Sequence, residues 1–530
     1  MPIALLTAIP LLVILSYFLL PQPEVWKHLS EHVLPRVIVN TVTLLAGVTV
    51  GVLLLGVSLA WLTAACEFPG RRFFSWALML PLAIPAYVLA FVLVGILDFS
   101  GPIQSWIRDY YPGTVRFPNV RTSTWAVITV MTLAFYPYVY LLARNAFRTQ
   151  GQRAMEAAQT LGLSRTRAFF KVSVPMARPW IIGGLTLVLM ETLADFGAVA
   201  VFNFDTFTTA IYKSWLGLFN LPAAAQLASL LMLVVLVLAV IEQAQRGRRR
   251  YQVSYSASPR IVLKGARRWL AFCACLAVFS IAFFIPLLQL VLWTLDVWKE
   301  NLDARYWQFA WNSVQLAAFA GVGATVLALL LSWAKRRYPD TATRWSVHLA
   351  ILGYAVPGAV LAVGVFIPIA WLDTYLVPLA NAVGLSGQQV LKGTLFTMLA
   401  ALIIRFLAVA FQSTDSAMQR VTRSQDDASR SLGMNARQTL RRIYIPLLRP
   451  GLLAAFLLVF VDVLKEMPIT LMTRSFGWDT LAVRIFQLTA ESMWEEAALP
   501  AIFIVLVGLL PVMLLVRSTD QPLAHRHQAP

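Results

Sequence analysis

Five ionisable side chains lie in two apolar stretches of this sequence, where a charge is costly and tends to have a function. Glu191 and Asp195 are four residues apart, so they share one face of a helix, and Asp462, Lys465 and Glu466 occupy the second stretch. Hard cations prefer oxygen ligands, and such carboxylates would suit the path of ferric iron or a polyamine. In the alternative, Lys465 pairs with Asp462 or Glu466, and Glu191 and Asp195 bond polar groups on neighbouring helices. A translocation path and a structural or gating role both stay open.

Two other segments share a pattern of small residues, a glycine, basic residues and a proline. The first reads EAAQTLGLSRTRAFFKVSVPMARP over residues 156–179, and the second reads DASRSLGMNARQTLRRIYIPLLRP over residues 427–450. Each predicts two short helices broken at a glycine, because Gly162 can adopt a positive φ and Ser164, like Asn435, is suited to cap the next turn. We expect Pro175 to end the first segment before the next apolar stretch.

The predicted helix pair is amphipathic. Leu161, Phe169 and Phe170 would form an apolar face, and basic residues would keep the other face in water. The apolar face needs cover, either from the protein itself or from a groove on a partner. From the residues alone, self-packing is the commoner outcome for a connecting segment.

The composition places these segments in a membrane protein. Apolar residues make up 59% of the chain and charged residues 13%, with a mean hydropathy of +0.71, whereas a soluble domain has roughly a quarter charged residues. Stretches of about 20 apolar residues, enough to cross a bilayer, recur along the sequence. The predicted fold is all-α, with about twelve transmembrane helices near residues 3–20, 38–62, 76–98, 123–143, 180–202, 226–242, 269–294, 312–334, 346–370, 394–413, 451–473 and 499–516.

The net charge of +18 is explained by membrane topology. Most Lys and Arg residues fall in loops that are cytoplasmic if the N-terminus is cytoplasmic, which is the positive-inside pattern and places both termini inside. Nucleic acid is not an expected partner, because no segment is long enough to form a basic soluble face. The first apolar stretch has no basic n-region, so we interpret it as a retained anchor.

The second half restates the first at an offset of 272 and then 271 residues, as Asn40 with Asn312 and Gly162 with Gly433 show. Six spans per copy give both copies the same orientation, which makes them parallel repeats around a shared path. The predicted organisation is a first helix and outer loop (1–36), repeat 1 (37–242), a basic cytoplasmic linker with a helix and outer loop (243–307), repeat 2 (308–516) and a cytoplasmic tail (517–530). Pro81, Pro85 and Pro357 predict kinks in the third spans, with Pro85 and Pro357 at corresponding positions.

No motif for chemistry by the chain itself is present. The sequence has no H-E-x-x-H or G-x-S-x-G motif, and no G-x-x-x-x-G-K-[ST] loop to cradle phosphates. We therefore expect no enzyme activity and no bound cofactor. An intramembrane enzyme with Glu191 and Asp195 as acid and base is an alternative.

The two segments resemble the EAA motif of ABC importer permeases, and with the repeated spans they indicate the type I ABC importer permease fold. In that family the motif forms a coupling helix that docks into a groove on the ATPase subunit. The resemblance therefore implies that ATP is used by a separate subunit. The second copy departs from the motif at Asp427 and Ser429. Carried over position by position, the resemblance implies ATPase coupling by Glu156, Ala157, Ala158, Gly162 and Pro175, and by Asp427, Ala428, Ser429, Gly433 and Pro446.

The stretches METLADFGAVAVFNFDTFTTAIYKSW and VLKEMPITLMTRSFGWDTLAVRIFQL resemble fused, two-repeat ferric-iron permeases. The resemblance implies iron(III) import across a bacterial inner membrane, with two copies of an ABC ATPase and a periplasmic binding protein as partners. Thiamine and polyamine permeases share this architecture and are alternatives. An ion-coupled secondary transporter would also have parallel repeats and buried carboxylates, but it gives no reason for two EAA-like segments.

Overall fold

The computed structural model describes residues 1–19, 23–110, 119–148, 158, 160–246, 260–382 and 389–520. This described part is almost entirely helical and contains twelve helical segments long and apolar enough to cross a membrane. The predicted all-α class and number of spans are therefore confirmed. We number these segments span 1 to span 12: Pro2–Leu19, Pro23–Ala65, Ala86–Tyr110, Thr124–Ala146, Phe169–Ala194, Leu221–Ile241, Ala266–Lys299, Ala304–Arg337, Gly358–Ala382, Leu395–Met418, Ala436–Lys465 and Trp494–Met513.

Shorter elements connect the spans. Two strands, β1 (Cys66–Glu67) and β2 (Ile261–Val262), pair in parallel. Span 3 consists of the helices Ala86–Leu97 and Pro102–Tyr110. The other short helices and 3₁₀ turns are Arg71–Ala77, Leu80–Ala83, Val120–Thr122, Arg165–Ala168, Gly197–Val201, Phe207–Tyr212, Thr341–Ala350, Leu352–Ala355, Arg423–Ser431, Pro468–Thr473 and Leu481–Ala490.

The third span of each half begins later than predicted, and the predicted proline kinks are wrong. Pro85 is the N-cap of the helix that begins at Ala86, and Ile84 before it is extended, with φ −91° and ψ 117°. The residue before a proline is pushed out of the helical region, and proline itself has no N–H to continue a preceding helix. Val356 before Pro357 is extended for the same reason. These prolines therefore start the spans instead of bending them.

The fifth span of each half also differs from the prediction. Pro175 does not end the segment before it, because a π-turn at Phe169–Ser173 leads directly into the helix Val174–Ala194. A proline cannot donate to the carbonyl four residues earlier, and a wider turn just before it relieves the clash of its ring. Pro446 follows a π-turn at Leu440–Tyr444 in the same way. Each span is thus one continuous helix with the short helix that precedes it.

The chain forms two compact units, and each combines parts of both halves. The first unit comprises Met1–Val39, Asp205–Leu236 and Lys299–Leu488, which places spans 1 and 6 with spans 8 to 11. Within this unit spans 8, 10 and 11 pack on one another, and span 1 lies against span 9. The approach to span 9 is close, because a Cβ at Gly364 would lie 2.7 Å from Ile14 Cδ1.

The second unit comprises Asn40–Phe204, Val237–Trp298 and the segment from Thr489 onward. It joins spans 3 to 5 and most of span 2 with spans 7 and 12 of the other half. Trp494 Nε1 in span 12 lies 3.3 Å from Asp98 Oδ2 in span 3, and Phe279 in span 7 contacts Phe73 edge to face at 5.5 Å. The first and last spans of each half are therefore exchanged between the units. The boundaries at 37, 242, 308 and 516 describe the sequence repeat and stay a prediction.

Candidate functional site

The second EAA-like loop, residues 427–450, is a helix–turn–helix. The helix Arg423–Ser431 ends in a turn where Leu432 N–H donates to Ala428 O at 3.1 Å and Met434 N–H donates to Ser429 O at 3.0 Å. Gly433 within this turn has φ +72°. Asn435 caps the next helix reciprocally with Gln438, and both hydrogen bonds are 2.9 Å long. The predicted glycine break and the Asn435 cap are confirmed.

The first EAA-like loop, residues 156–179, has the same turn. Leu163 N–H donates to Ala158 O at 3.0 Å, which matches the bond from Met434 to Ser429. Gly162 has φ +86°, and Ser164 Oγ accepts from the Arg167 N–H at 3.4 Å as the predicted cap. Glu156 and Ala157 lie outside the described residues, so their predicted contact with a partner stays a prediction.

The inside of each turn is closed by one pair of buried small residues. In the first loop, Ala158 and Ala168 form a buried cluster. In the second loop their counterparts are Ser429 and Thr439, both buried, and Thr439 Oγ1 lies 3.2 Å from Ser429 Oγ. Ser429 departs from the EAA pattern, and the residue across the turn differs as well, with Thr439 where the first loop has Ala168.

The predicted single apolar face of the first loop is wrong, because its residues point in different directions. Phe169 packs on Trp61 with ring centroids 4.2 Å apart, whereas Leu161 and Phe170 are exposed, at 84% and 65% of their surface. Leu432, the counterpart of Leu161, is 75% exposed. Both loops thus present a leucine to solvent immediately before the glycine, and in neither loop does self-packing cover it.

Each loop is held by a different set of contacts. In the second loop, Asp426 Oδ2 lies 2.7 Å from Arg336 Nη2, and Tyr444 donates to Asp426 Oδ1 at 2.5 Å. Arg336 Nη1 also donates to Met418 O at 3.0 Å, which ties the loop to spans 8 and 10. The first loop instead packs on the aromatic rings of Trp61 and Phe147. The sequence analysis missed Arg336 and Asp426; a basic residue at the end of span 8 was the available signal.

The carboxylates of the fifth spans lie where those helices break. Helix Val174–Ala194 ends just before Asp195, whose Oδ1 accepts from the N–H groups of Ala198 and Val199 at 3.0 and 3.2 Å. Glu466 likewise follows Lys465, the last residue of its helix, and its Oε1 accepts from the Ile469 N–H at 3.3 Å. Both residues therefore cap the short helix that follows, where the helix dipole favours negative charge.

Glu466 also has an ionic partner that the sequence analysis missed. Arg405 Nη1 in span 10 lies 3.6 Å from Glu466 Oε1, and the Glu466 side chain is buried. Gly358 makes room for this pair, because a Cβ there would lie 2.4 Å from Arg405 Nη1. Glu466 thus pairs with Arg405. The pairing of Lys465 with Asp462 or Glu466 and a role of these residues in translocation stay predictions.

The comparison with known proteins follows the repeat. The family described as "Binding-protein-dependent transport system inner membrane component" matches this chain twice, over residues 53–251 and 324–524. The chain belongs to this family. It is therefore a multi-pass inner-membrane transport component with two copies of the permease domain, and each EAA-like loop lies within one copy.

Two ferric-transport relatives resemble the permease over most of its length, and a molybdenum-transport relative resembles about a third of it. The Fe(3+)-transport system permease protein FbpB 2 of Haemophilus influenzae is 28% identical over 523 residues, which cover 96% of each chain. The putative ferric transport system permease protein FbpB 1 of the same organism is 24% identical and covers 83% of this chain and 70% of its own. The molybdenum transport system permease protein ModB of Escherichia coli is 30% identical over 190 residues, 35% of this chain and 80% of its own.

Proposed function

We propose that this permease imports iron(III) across a bacterial inner membrane, with a periplasmic binding protein as donor and two copies of an ABC ATPase as the energy source. The observation that carries the coupling is the repeated turn. A positive-φ glycine, an exposed leucine before it and a buried pair inside it recur at corresponding positions in both halves. Two equivalent docking elements suit two equivalent ATPase subunits. Iron is supported by the full-length similarity to FbpB 2, whose name gives Fe(3+) transport.

The connection between loop and span supports a mechanical link. Residues 165–194 form one continuous helix, which at about 1.5 Å per residue is about 45 Å long. A displacement of the first loop by a partner would therefore move the far end of span 5, where Asp195 caps the break. Span 11 repeats this arrangement from the second loop to Glu466. ATP-driven motion at the loops would reach the broken ends of both fifth spans.

Exposure of the loop leucines supports docking of a partner. An apolar side chain that is mostly exposed at the tip of a turn gains about 1.5–3 kcal/mol when fully buried. Leu161 and Leu432 together offer such burial at two sites.

In this proposal the loops face the cytoplasm and both termini lie inside, as the positive-inside pattern predicts. Reporter fusions at residue 1 and residue 530 test that orientation.

The decisive experiment measures uptake of radiolabelled ferric iron. Cells carry this chain with its binding protein and ATPase, and the matched control carries an ATPase whose phosphate-binding lysine is replaced. Thiamine and polyamine uptake are measured in parallel. ATPase-dependent iron uptake supports the proposal. ATPase-dependent uptake of another solute keeps the coupling and rejects iron. Uptake that is indifferent to the ATPase favours an ion-coupled transporter and rejects the proposal.

A further inference from the structure

The linker between the halves contributes a strand that lies beside the first EAA-like loop. β1 (Cys66–Glu67) directly follows span 2, and β2 (Ile261–Val262) lies just before span 7. The two strands pair in parallel, and the ladder continues as Leu263 N–H donates to Glu67 O at 3.1 Å. A strand from far along the chain is thereby fixed beside the end of span 2.

Charged contacts fix the position of β1. Arg71, which is buried, has its Nε 3.0 Å from Glu67 Oε2 and its Nη1 3.3 Å from Thr63 O. Arg260 Nη1 on the β2 side lies 3.5 Å from the same Glu67 oxygen. The Arg260 pair is exposed, so it contributes little free energy. It joins the β2 side to the same carboxylate that holds Arg71.

Ile261 connects this strand pair to the loop. Its side chain packs against the buried cluster of Ala158 and Ala168, together with Trp61 and Val172. Val262, the next residue, is 64% exposed. Because side chains alternate along a strand, β2 turns one apolar side chain onto the loop and the next away from it. Ile261 thus covers part of the apolar cluster that the loop residues Ala158 and Ala168 form.

The second loop is supported by other means. Its inner pair is the hydroxyl pair of Ser429 and Thr439, and Asp426 ties it to Arg336 and Tyr444. The buried cluster beside this loop is formed by residues of spans 8, 10 and 11 and the segments joining them: Met418, Val421, Tyr444 and Leu448, with Trp333 against them. The two loops therefore have the same backbone turn but are supported by different side-chain contacts.

We propose that β2 is the platform that positions the first EAA-like loop for ATPase coupling, with Ile261 as its positioning residue. This inference rests on the proposed docking role of the loops. It gives the inter-repeat linker a part in coupling at the first loop, in addition to joining the two halves. Loss of the platform is expected to loosen the first loop and leave the second unchanged.

The test is hydrogen–deuterium exchange of the full permease–ATPase complex, compared between residues 160–173 and residues 429–444. Ile261→Asp is expected to raise exchange in the first segment about tenfold and to leave the second unchanged. Ile261→Ala is the milder form in case the aspartate variant does not insert, and Ile261→Val should restore protection. Val262→Asp is the matched control, with exchange like that of the natural chain.

ATP-driven uptake by the same variants separates the platform from the docking role. Faster exchange in residues 160–173 with uptake reduced at least about fivefold supports both. Faster exchange with unchanged uptake supports the platform and rejects the docking role of the first loop. Unchanged exchange in both segments, or an equal rise with Val262→Asp, overturns the platform.

Discussion

Thr439 Oγ1 lies 3.2 Å from Ser429 Oγ in the second EAA-like loop, at the two positions where the first loop has Ala168 and Ala158. Ser429 Oγ also donates to Asp426 O at 2.8 Å. The added hydroxyls thus satisfy each other and the backbone inside a buried turn. Two different pairs, one of methyl groups and one of hydroxyls, support the same backbone shape.

The two pairs should therefore be interchangeable. The double variant Ser429→Ala with Thr439→Ala reproduces the pair of the first loop, and removal of both partners changes the free energy of unfolding by less than about 1 kcal/mol. Uptake should stay within about twofold of the natural chain. Ser429→Leu overfills the turn and should cost about 1–3 kcal/mol with loss of ATP-driven uptake. Loss of uptake in the double variant would show that the hydroxyls do more than pack.

Replacement of Gly162 and Gly433 by valine should uncouple ATP hydrolysis from transport. Their φ values of +86° and +72° are unfavourable for a β-branched residue, which costs roughly 1–2 kcal/mol per site. Among the described residues, no atom lies within 4 Å of a Cβ at either glycine, so the effect comes from the backbone and not from a clash. Asparagine tolerates this region and should retain coupling. Gly217→Ala, also in open space but without a positive φ, is the control.

The measurement for the glycine variants is ATP hydrolysed per substrate transported, with membrane insertion checked by the yield of folded protein. The double valine variant should insert and lose the coupling. Coupling retained by the double variant would contradict the docking role of the turns.

The number of spans and the glycine turns were predicted correctly, because they depend on residues that are close together in the sequence. The number of spans follows from apolar length, and the turns at Gly162 and Gly433 follow from the conformational freedom of glycine. The start of span 3 was missed, although Pro85 carried the signal, because apolar residues continue on both sides of it. Hydropathy alone does not show where a helix begins or ends within a continuous apolar stretch.

Contacts between distant residues could not be predicted in the same way. Arg405 was visible as a charge within a predicted span, but its partner Glu466 lies on another helix. The exchange of spans 1, 6, 7 and 12 between the two units depends on surface fit, such as the close approach of Ile14 to Gly364. A repeat in the sequence records duplication and carries no information about which helices pack together.

Removal of Arg336 should destabilise the second loop selectively. Arg336→Met leaves Asp426, which is largely buried, without its cation, and breaking a partly buried ion pair of this kind costs roughly 2–4 kcal/mol. The neighbouring Lys335→Met is the matched control. Its pair with Asp415 is more exposed and should cost about 0–1 kcal/mol. Thermal unfolding of the purified permease and ATP-driven uptake check both variants, and equal effects would contradict the tether.

Neutral isosteres of the span carboxylates should separate capping from a cation path. Asp195→Asn keeps an oxygen that can accept from the Ala198 and Val199 N–H groups, whereas Asp195→Leu removes the cap and should cost about 1 kcal/mol. If capping is the role of Asp195, the asparagine variant keeps at least about half of the uptake rate and the leucine variant does not. The same comparison applies to Glu466→Gln, where Arg405 would lose its charged partner.

Uptake rates and the apparent KM for iron distinguish capping from cation binding. If a carboxylate binds the passing cation, its neutralisation raises the apparent KM even when the cap is intact. A several-fold rise in KM for Asp195→Asn would therefore reject the purely structural role and place Asp195 on the path.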